Sequence, residues 1–107
     1  GNLETTRDFT DVKDMAIAYE LALQKGVAGE VYNIGSGRGT KIGDLLKMLI
    51  EMSRVKITIE IDPARYRKGE QQKLICDPGK FNRQTGWKAE IGLETTLKRV
   101  LEDWRNK

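Results

Sequence analysis

The sequence predicts a mixed α/β domain of about four helices with a few short strands. Apolar residues recur at helical spacing in three stretches, at 11–24, 40–53 and 93–104. The run from Ile57 to Ile61 alternates instead, which is typical of a half-buried strand. With 107 residues and 38% hydrophobic content, the chain suffices for one domain and is too short for two ordinary ones.

The first helix is predicted to begin after Asp11, because aspartate is a favoured N-cap residue, and to stop near Gly26. The residues that predict its core face are Val12, Met15, Ala16, Tyr19, Ala22 and Leu23. A short strand is then predicted over 31–34, after a turn at Gly29. A glycine-rich loop over 35–39 leads to the next helix.

The second helix is predicted to be capped by Thr40 and to extend to about Ser53. Its apolar face is formed by Ile42, Leu45, Leu46, Leu49 and Ile50. The alternating run that follows is predicted to be a strand that ends at Pro63. Residues 73–76 are predicted to form a short extended segment.

Asp77 and Pro78 together predict the start of a third helix, with the aspartate as N-cap and the proline as first helical residue. This helix should end near Gly86. A final helix is predicted from about Leu93 to Trp104. Its predicted buried stripe consists of Leu93, Leu97, Val100, Leu101 and Trp104. Trp87 and Trp104 are expected to pack in the core or at an interface, and Tyr19 is expected to pack in the core.

Composition excludes several kinds of site. The absence of histidine excludes the usual Cys/His zinc sites and the nucleophiles that need a histidine base. The single cysteine, Cys76, excludes an internal disulfide and indicates a reducing compartment, so we expect a cytoplasmic protein. A net charge of +3 with mixed signs argues against nucleic acid as the main partner. Because no apolar run approaches the roughly 20 residues of a membrane span, no membrane partner is expected either.

Two arginine motifs form the candidate site. One is Arg-Asp-Phe-Thr-Asp-Val at 7–12 and the other is Arg-Lys-Gly-Glu at 67–70, and both are predicted to lie in loops or at loop edges. A guanidinium makes two parallel hydrogen bonds to a phosphate and stays charged. Glu70 can accept hydrogen bonds from ribose or sugar hydroxyls, and Tyr66 flanks Arg67 as a further candidate contact. Together these residues suggest a site for a nucleotide diphosphate that carries a sugar.

Two other patterns suggest different chemistry. The run from Gly35 to Gly39 lies where a phosphate or dinucleotide loop would sit, and Asp62 mimics the acidic residue that holds a ribose. The G-x-G-x-x-G fingerprint needs a small residue at position 40, but Thr40 stands there and Gly39 comes one place early. A glycine turn is therefore the preferred interpretation. Glu60 and Asp62 would share one strand face as an acid/base pair, but such pairs are common among 16 acidic residues.

The order of these segments resembles the C-terminal third of extended short-chain dehydrogenases that act on nucleotide sugars. The resemblance is carried by the run at 7–12, Gly-Glu-Val-Tyr-Asn-Ile-Gly-Ser-Gly at 29–37, Arg-x-Gly-Glu at 67–70 and Asp-Pro-Gly-Lys at 77–80. Within that superfamily, the segments that look most like GDP-mannose 4,6-dehydratases are 1–3, 85–87 and 93–97. The related GDP-4-keto-6-deoxymannose reductases match about as well.

The resemblance implies a Rossmann-type enzyme whose N-terminal domain binds NAD(P) and carries the catalytic residues. Residues 1–107 would then be a single C-terminal substrate-binding fragment that holds no cofactor, and the start at Gly1 without methionine also suggests a piece of a longer protein. By resemblance, Arg7 and Arg67 would hold the diphosphate from two sides, and Glu70 would hold ribose hydroxyls. The full enzyme is expected to be a homo-oligomer.

Departures from the family leave the reaction open. Lys68 stands where the family often has proline, and the pair Lys68-Gly69 resembles the version of the motif in epimerases, which leaves the nucleotide preference open. No Tyr-x-x-x-Lys occurs, so no catalytic residue is assigned here and hydride transfer is not expected of this chain alone. The backbone at Asn2 and Leu3 is expected beside the substrate. The alternatives are a UDP- or dTDP-sugar epimerase or dehydratase, or a free-standing, non-enzymatic nucleotide-binding or interaction domain.

A fragment cut from such an enzyme should expose an apolar face. In the family, the first helix and the strand at 30–34 pack against the cofactor domain. We therefore expect marginal stability or self-association of this chain alone. A monomeric sample that melts cooperatively at high temperature would count against that expectation.

Overall fold

The computed structural model describes residues 2–65, 69 and 71–106, and these form the expected mixed architecture of four helices and a small sheet. The helices are α1 (Val12–Lys25), α2 (Ile42–Met52), α3 (Gly79–Thr85) and α4 (Leu93–Arg105), with a 3₁₀ turn at Pro63–Arg65. The strands are β1 (Thr6–Asp8), β2 (Gly39–Lys41) and β3 (Lys73–Leu74). Within these ranges no helix is long and apolar enough to cross a membrane.

β1 is the middle strand of a three-stranded sheet in the order β2–β1–β3. It pairs antiparallel with β2, where Arg7 lies opposite Thr40, and parallel with β3, where Arg7 lies opposite Leu74. Residues 7 and 8, predicted to lie in a loop or at a loop edge, therefore belong to a short strand that ends at Asp8. A three-residue strand has too few residues to show a period, and its backbone partners come from distant parts of the chain.

α1 begins where predicted. The carboxylate of Asp11 accepts a hydrogen bond from the Lys13 backbone N–H at 2.8 Å, which is an N-cap interaction. The helix ends at Lys25, one residue before Gly26. The N-cap interaction therefore confirms the helix start that was predicted from Asp11.

The starts of α2 and α3 differ from prediction. Thr40 belongs to β2, and the N-cap of α2 is Lys41, whose side chain makes no capping bond. The first N–H groups of α2 instead donate to the Thr5 and Leu3 carbonyls at 2.9 and 2.8 Å. Backbone carbonyls thus replace a side-chain cap, which residue type cannot predict.

α3 begins one residue later than predicted, with Pro78 as N-cap, although Asp77 still accepts from the Gly79 N–H at 3.0 Å. It ends as predicted at Gly86, whose φ of 76° lies in the left-handed region that favours glycine. The extended segment predicted at 73–76 is confirmed for Lys73–Leu74.

The strands predicted over 31–34 and 57–61 are not part of the sheet among the described residues. Ile57, Ile59 and Ile61 are all exposed. An extended segment without a neighbouring strand has no partner for its backbone groups, so alternation alone does not make a strand. Glu60 and Asp62 therefore do not share a strand face, and the acid/base pair loses its structural basis.

Among the described residues, the buried apolar ones are Ala18, Phe81 and Trp87. The Phe81 ring meets Tyr32 and Trp87 edge-on, with ring centroids 5.5 and 5.7 Å apart. The Trp87 indole N–H donates to the Asp14 carbonyl at 3.0 Å, which joins the core to α1. The prediction that Trp87 packs in the core is confirmed.

The predicted core face of α1 is largely wrong. Val12, Tyr19 and Leu23 are 70%, 63% and 90% exposed, and the buried residues of the helix are Asp14 and Ala18. Asp14 can be buried because its carboxylate accepts from the Glu90 and Ile91 N–H groups at 3.2 and 2.9 Å.

The exposed apolar residues of α1 form a second helical row, which we call the outer stripe: Val12, Ala16, Tyr19 and Leu23. Val31 is also exposed. The chain therefore has the exposed apolar face expected of α1 and its neighbouring segment. The marginal stability and self-association inferred from that face remain predictions.

α4 has no fully buried residue, although a buried stripe was predicted. Val100 and Trp104 are exposed, so Trp104 is not a core residue in this chain. The helix packs against α2, and the Arg105 guanidinium donates to the Met52 carbonyl at 2.7 Å. Because no third layer covers this helix pair among the described residues, its apolar faces are only half-buried.

Candidate functional site

A cavity of about 440 Å³ lies at the edge of the sheet where the parallel strands β1 and β3 end. It is lined by Arg7, Asp8, Asn33, Ile34, Leu74, Ile75, Cys76 and Asp77. The lining combines a permanent cation, an amide, two carboxylates and apolar walls. Such a mixture can hold an anion that also carries neutral polar groups.

Arg7 is the cationic group of this cavity. It stands in the middle of β1, flanked by strands on both sides, so its backbone is fixed. Its side chain is half-buried, and one guanidinium nitrogen donates to the Thr6 carbonyl at 2.9 Å. A guanidinium stays charged at any physiological pH. A strand thus places a permanent positive charge at the cavity.

Asp8 has a different role from that of a ligand-binding carboxylate. One of its oxygens accepts from the Ser36 N–H at 3.1 Å and from the Ser36 hydroxyl, and the other accepts from the Gly37 and Cys76 N–H groups at 2.9 and 3.2 Å. Sequence reasoning missed this role. The donors are mainly backbone groups, so no residue-type pattern could have revealed them.

The glycine-rich loop at 35–39 is explained by the same contacts. Its Ser36 and Gly37 N–H groups could bind a phosphate, but both already donate to the Asp8 carboxylate. Gly37 has a φ of 76°, as a tight turn requires. Asp62, the proposed ribose mimic, instead accepts from the Ala64 N–H at 3.0 Å and begins the 3₁₀ turn. These contacts favour the glycine turn over a cofactor loop.

The Gly35→Ala substitution is expected to lower the free energy of unfolding by about 1–3 kcal/mol, the usual cost of overpacking. A Cβ at Gly35 would lie 2.6 Å from the Cys76 Cβ and 3.1 Å from an Asp8 oxygen. Gly92→Ala is the matched control, because a Cβ added at Gly92 would meet no atom within 4 Å and the φ of Gly92 is −71°. Urea unfolding of both variants measures the difference, and equal midpoints would contradict the close packing at Gly35.

The cavity wall also contains the chain's cysteine. Cys76 is half-buried, and burial raises the pKa of its thiol, with further contributions from the negative charges of Asp8 and Asp77. A raised pKa keeps the thiol protonated at neutral pH, so it is a poor nucleophile there. Across the described part of the chain, no cluster of three or more Cys, Asp or Glu residues could hold a metal ion.

The other predicted site residues lie elsewhere. The Leu3 carbonyl accepts from the Gly43 N–H at 2.8 Å beside the start of α2, and neither Asn2 nor Leu3 is among the residues that line the cavity. Tyr66, Arg67 and Glu70 lie outside the described residues. Of the predicted residues that are described, Arg7 is the one that the fold brings to the cavity.

The chain is similar to proteins that act on nucleotide sugars. GDP-6-deoxy-D-mannose reductase from Pseudomonas aeruginosa is 38% identical over 107 residues, which are 100% of this chain and 35% of the reductase. UDP-glucose 4-epimerase 2 from Oryza sativa is 33% identical over 93 residues, which are 82% of this chain and 22% of the epimerase. The chain therefore spans about a third or less of the length of these relatives.

Solved structures show the same relationship. The structure of RMD from Pseudomonas aeruginosa complexed with NADPH superposes with a TM-score of 0.90 at 36% identity, over 99% of this chain and 34% of that one. UDP-glucose 4-epimerase from Thermotoga maritima, solved with UDP-glucose, gives a TM-score of 0.89 at 38% identity, over 99% and 33%. The fold is thus that of one part of these enzymes.

A match to a protein-family model shows which family the chain belongs to. The model described as GDP-mannose 4,6 dehydratase matches residues 1–100, nearly the whole chain. The segments singled out in the sequence at 7–12, 29–37, 77–80 and 85–87 all fall within that match. The chain belongs to the GDP-mannose 4,6 dehydratase family.

Proposed function

We propose that this chain is the nucleotide-sugar-binding part of a longer NAD(P)-dependent enzyme, a GDP-mannose-type 4,6-dehydratase or 4-keto reductase. The observation that carries the proposal is the half-buried Arg7, held on the central strand and lining a cavity with Asn33. Family membership and the names of the relatives support nucleotide sugars as the substrate class. The chain's short span relative to these relatives supports a further domain.

The diphosphate is assigned to Arg7. Its guanidinium can form two parallel, charge-assisted hydrogen bonds to phosphate oxygens, and Ile34 and Leu74 form the apolar part of the wall beside it. We propose that Arg67 binds the same diphosphate from the other side and that Glu70 binds ribose hydroxyls. Asn2, Leu3 and Tyr66 are proposed as further contacts. The contribution of these residues to catalysis is positioning.

We assign the nicotinamide cofactor to the N-terminal Rossmann domain of the longer enzyme and not to this chain. When bound, NAD(P) would supply hydride transfer to and from sugar carbons. The one loop here that resembles a cofactor loop has its Ser36 and Gly37 N–H groups occupied by Asp8, so the residues present do not fit that group. The outer stripe of α1 is proposed to pack against the Rossmann domain, and the complete enzyme is proposed to be a homo-oligomer.

GDP-sugars are proposed over UDP-sugars because a GDP-6-deoxy-D-mannose reductase is similar over the whole chain. UDP-glucose epimerases are similar over most of it, so a UDP-sugar epimerase is the second candidate. A free-standing binding domain is the third. The gene sequence upstream of Gly1 distinguishes it, because a strand followed by a glycine-rich turn there supports the enzyme and an unrelated domain or a stop codon supports the module.

Arg7→Ala is expected to weaken binding of the nucleotide sugar by the complete enzyme by about 1.5–3 kcal/mol, the value of a hydrogen bond to a charged group. This corresponds to an affinity about 10- to 150-fold lower. Arg54→Ala is the charge-matched control, because Arg54 is exposed and lines a separate groove between α2 and α4. Calorimetric titration with GDP-mannose and UDP-glucose measures both variants. Equal affinities for Arg7→Ala and wild type would overturn the assignment.

A further inference from the structure

The Asp8 carboxylate connects, through hydrogen bonds, three segments that line the cavity beside Arg7. We call this set of hydrogen bonds the Asp8 joint. Asp8 itself ends β1, its Ser36 and Gly37 donors follow the wall residues Asn33 and Ile34, and its Cys76 donor follows β3. These segments come from distant parts of the chain. A change at this carboxylate therefore changes the spacing of the walls around Arg7.

The joint requires a charged carboxylate. Each of its two oxygens faces at least one backbone N–H donor, Ser36 on one side and Gly37 with Cys76 on the other. An asparagine has only one oxygen, so its NH₂ group would face an N–H donor in either orientation. The isosteric amide therefore fills the same space but cannot make the same bonds.

We infer that Asp8 is a positioning residue for the nucleotide diphosphate: its carboxylate acts as an internal anion that fixes the cavity walls at the spacing Arg7 needs. The inference rests on the proposed function. It adds that Asp8 occupies the N–H groups of Ser36 and Gly37, so this loop is not the part of the cavity that binds the phosphate. Preset walls avoid an ordering cost when the ligand binds.

Asp14 provides a matched control. Its carboxylate also accepts two backbone N–H bonds, from Glu90 and Ile91, but it lines a different cleft, beside Trp87. Asp8→Asn and Asp14→Asn both remove the charge of a hydrogen-bonded carboxylate and should lower stability, Asp14→Asn less so because both of its bonds reach one oxygen. Only Asp8→Asn should weaken the binding of a nucleotide sugar.

The test uses the complete protein, with GDP-mannose and UDP-glucose as probes and circular dichroism to select a temperature at which both variants are folded. We expect Asp8→Asn to weaken binding about tenfold or more and Asp14→Asn to leave the Kd unchanged. Ser36→Ala is the milder second variant, because it removes the hydroxyl, which donates to Asp8 and also bonds the Arg38 backbone, but keeps the Ser36 N–H. It should weaken binding about two- to fivefold.

The possible outcomes are distinct. Wild-type affinity in folded Asp8→Asn, or in Ser36→Ala if Asp8→Asn does not fold, would overturn the inference and leave the proposed function standing. An equal loss in Asp14→Asn would also overturn it, because the effect would then be one of general stability. If the wild-type protein bound neither probe, the proposed function would fail and the inference with it.

Discussion

Replacing Phe81 by alanine is expected to lower the free energy of unfolding by about 3–5 kcal/mol, the usual cost of truncating a buried aromatic residue. Phe81 has no exposed surface and stands between the Tyr32 and Trp87 rings. Its removal leaves a cavity that those rings cannot close without losing their edge-on contacts. Because small domains are marginally stable, much of the stability of this chain should be lost.

Urea unfolding of the 107-residue chain, followed by the fluorescence of its tryptophans, measures this loss. Leu23→Ala is the control, because Leu23 is 90% exposed and should change the free energy of unfolding by less than about 0.5 kcal/mol. A Phe81→Ala loss below about 1 kcal/mol would contradict the assigned core. A large loss for Leu23→Ala would show that α1 is buried on its outer stripe.

Replacing Asp11 by alanine is expected to lower the free energy of unfolding by about 2–4 kcal/mol. Its carboxylate caps α1 through the Lys13 N–H and accepts two bonds from the Arg99 guanidinium, each at 2.9 Å. It also accepts from the Thr96 hydroxyl at 2.6 Å. One buried side chain thus starts α1 and attaches α4 to it. Glu20→Gln, at an exposed carboxylate of the same helix, should change stability little.

The same residue should make stability depend on pH. Hydrogen bonding to Arg99 lowers the pKa of Asp11 from 3.8 to about 2, against the opposing effect of burial. Because the folded state has the lower pKa, the contribution of Asp11 is complete above about pH 5 and is lost as the pH falls toward 2. The stability difference between wild type and Asp11→Asn should therefore be constant from neutral pH to about pH 5 and shrink below it. A difference that stays constant down to about pH 2.5 would contradict the ion pair.

The elements that sequence predicted well have local causes. Asp11 caps α1 through the N–H of a residue two places away, and Gly86 ends α3 because its own backbone is left-handed. The elements that failed depend on distant partners. β1 exists because residues near 40 and 74 pair with Arg7, and the run at 57–61 is not a strand because no described strand pairs with it.

For the candidate site too, features with a local cause could be predicted and features that depend on distant contacts could not. Arg7 could be proposed from the motif at 7–12, because a guanidinium combines a permanent charge with a planar pair of donors, and its place at the cavity agrees with that proposal. The Asp8 joint could not, because its donors are mainly backbone N–H groups that carry no residue-specific signal. The buried face of α1 was misassigned for a related reason: the charge of Asp14 is satisfied by backbone groups of residues 90 and 91.

Hydrogen–deuterium exchange of the complete protein, with and without a saturating nucleotide sugar, tests the central claim most directly. GDP-mannose and UDP-glucose serve as the two ligands, and saturation is verified by calorimetry. We expect slower exchange in peptides that cover β1 with Arg7 and the wall at 74–77, with no change in the groove between α2 and α4. Saturating binding without protection at β1 and 74–77 would contradict the assignment of the nucleotide sugar to this cavity.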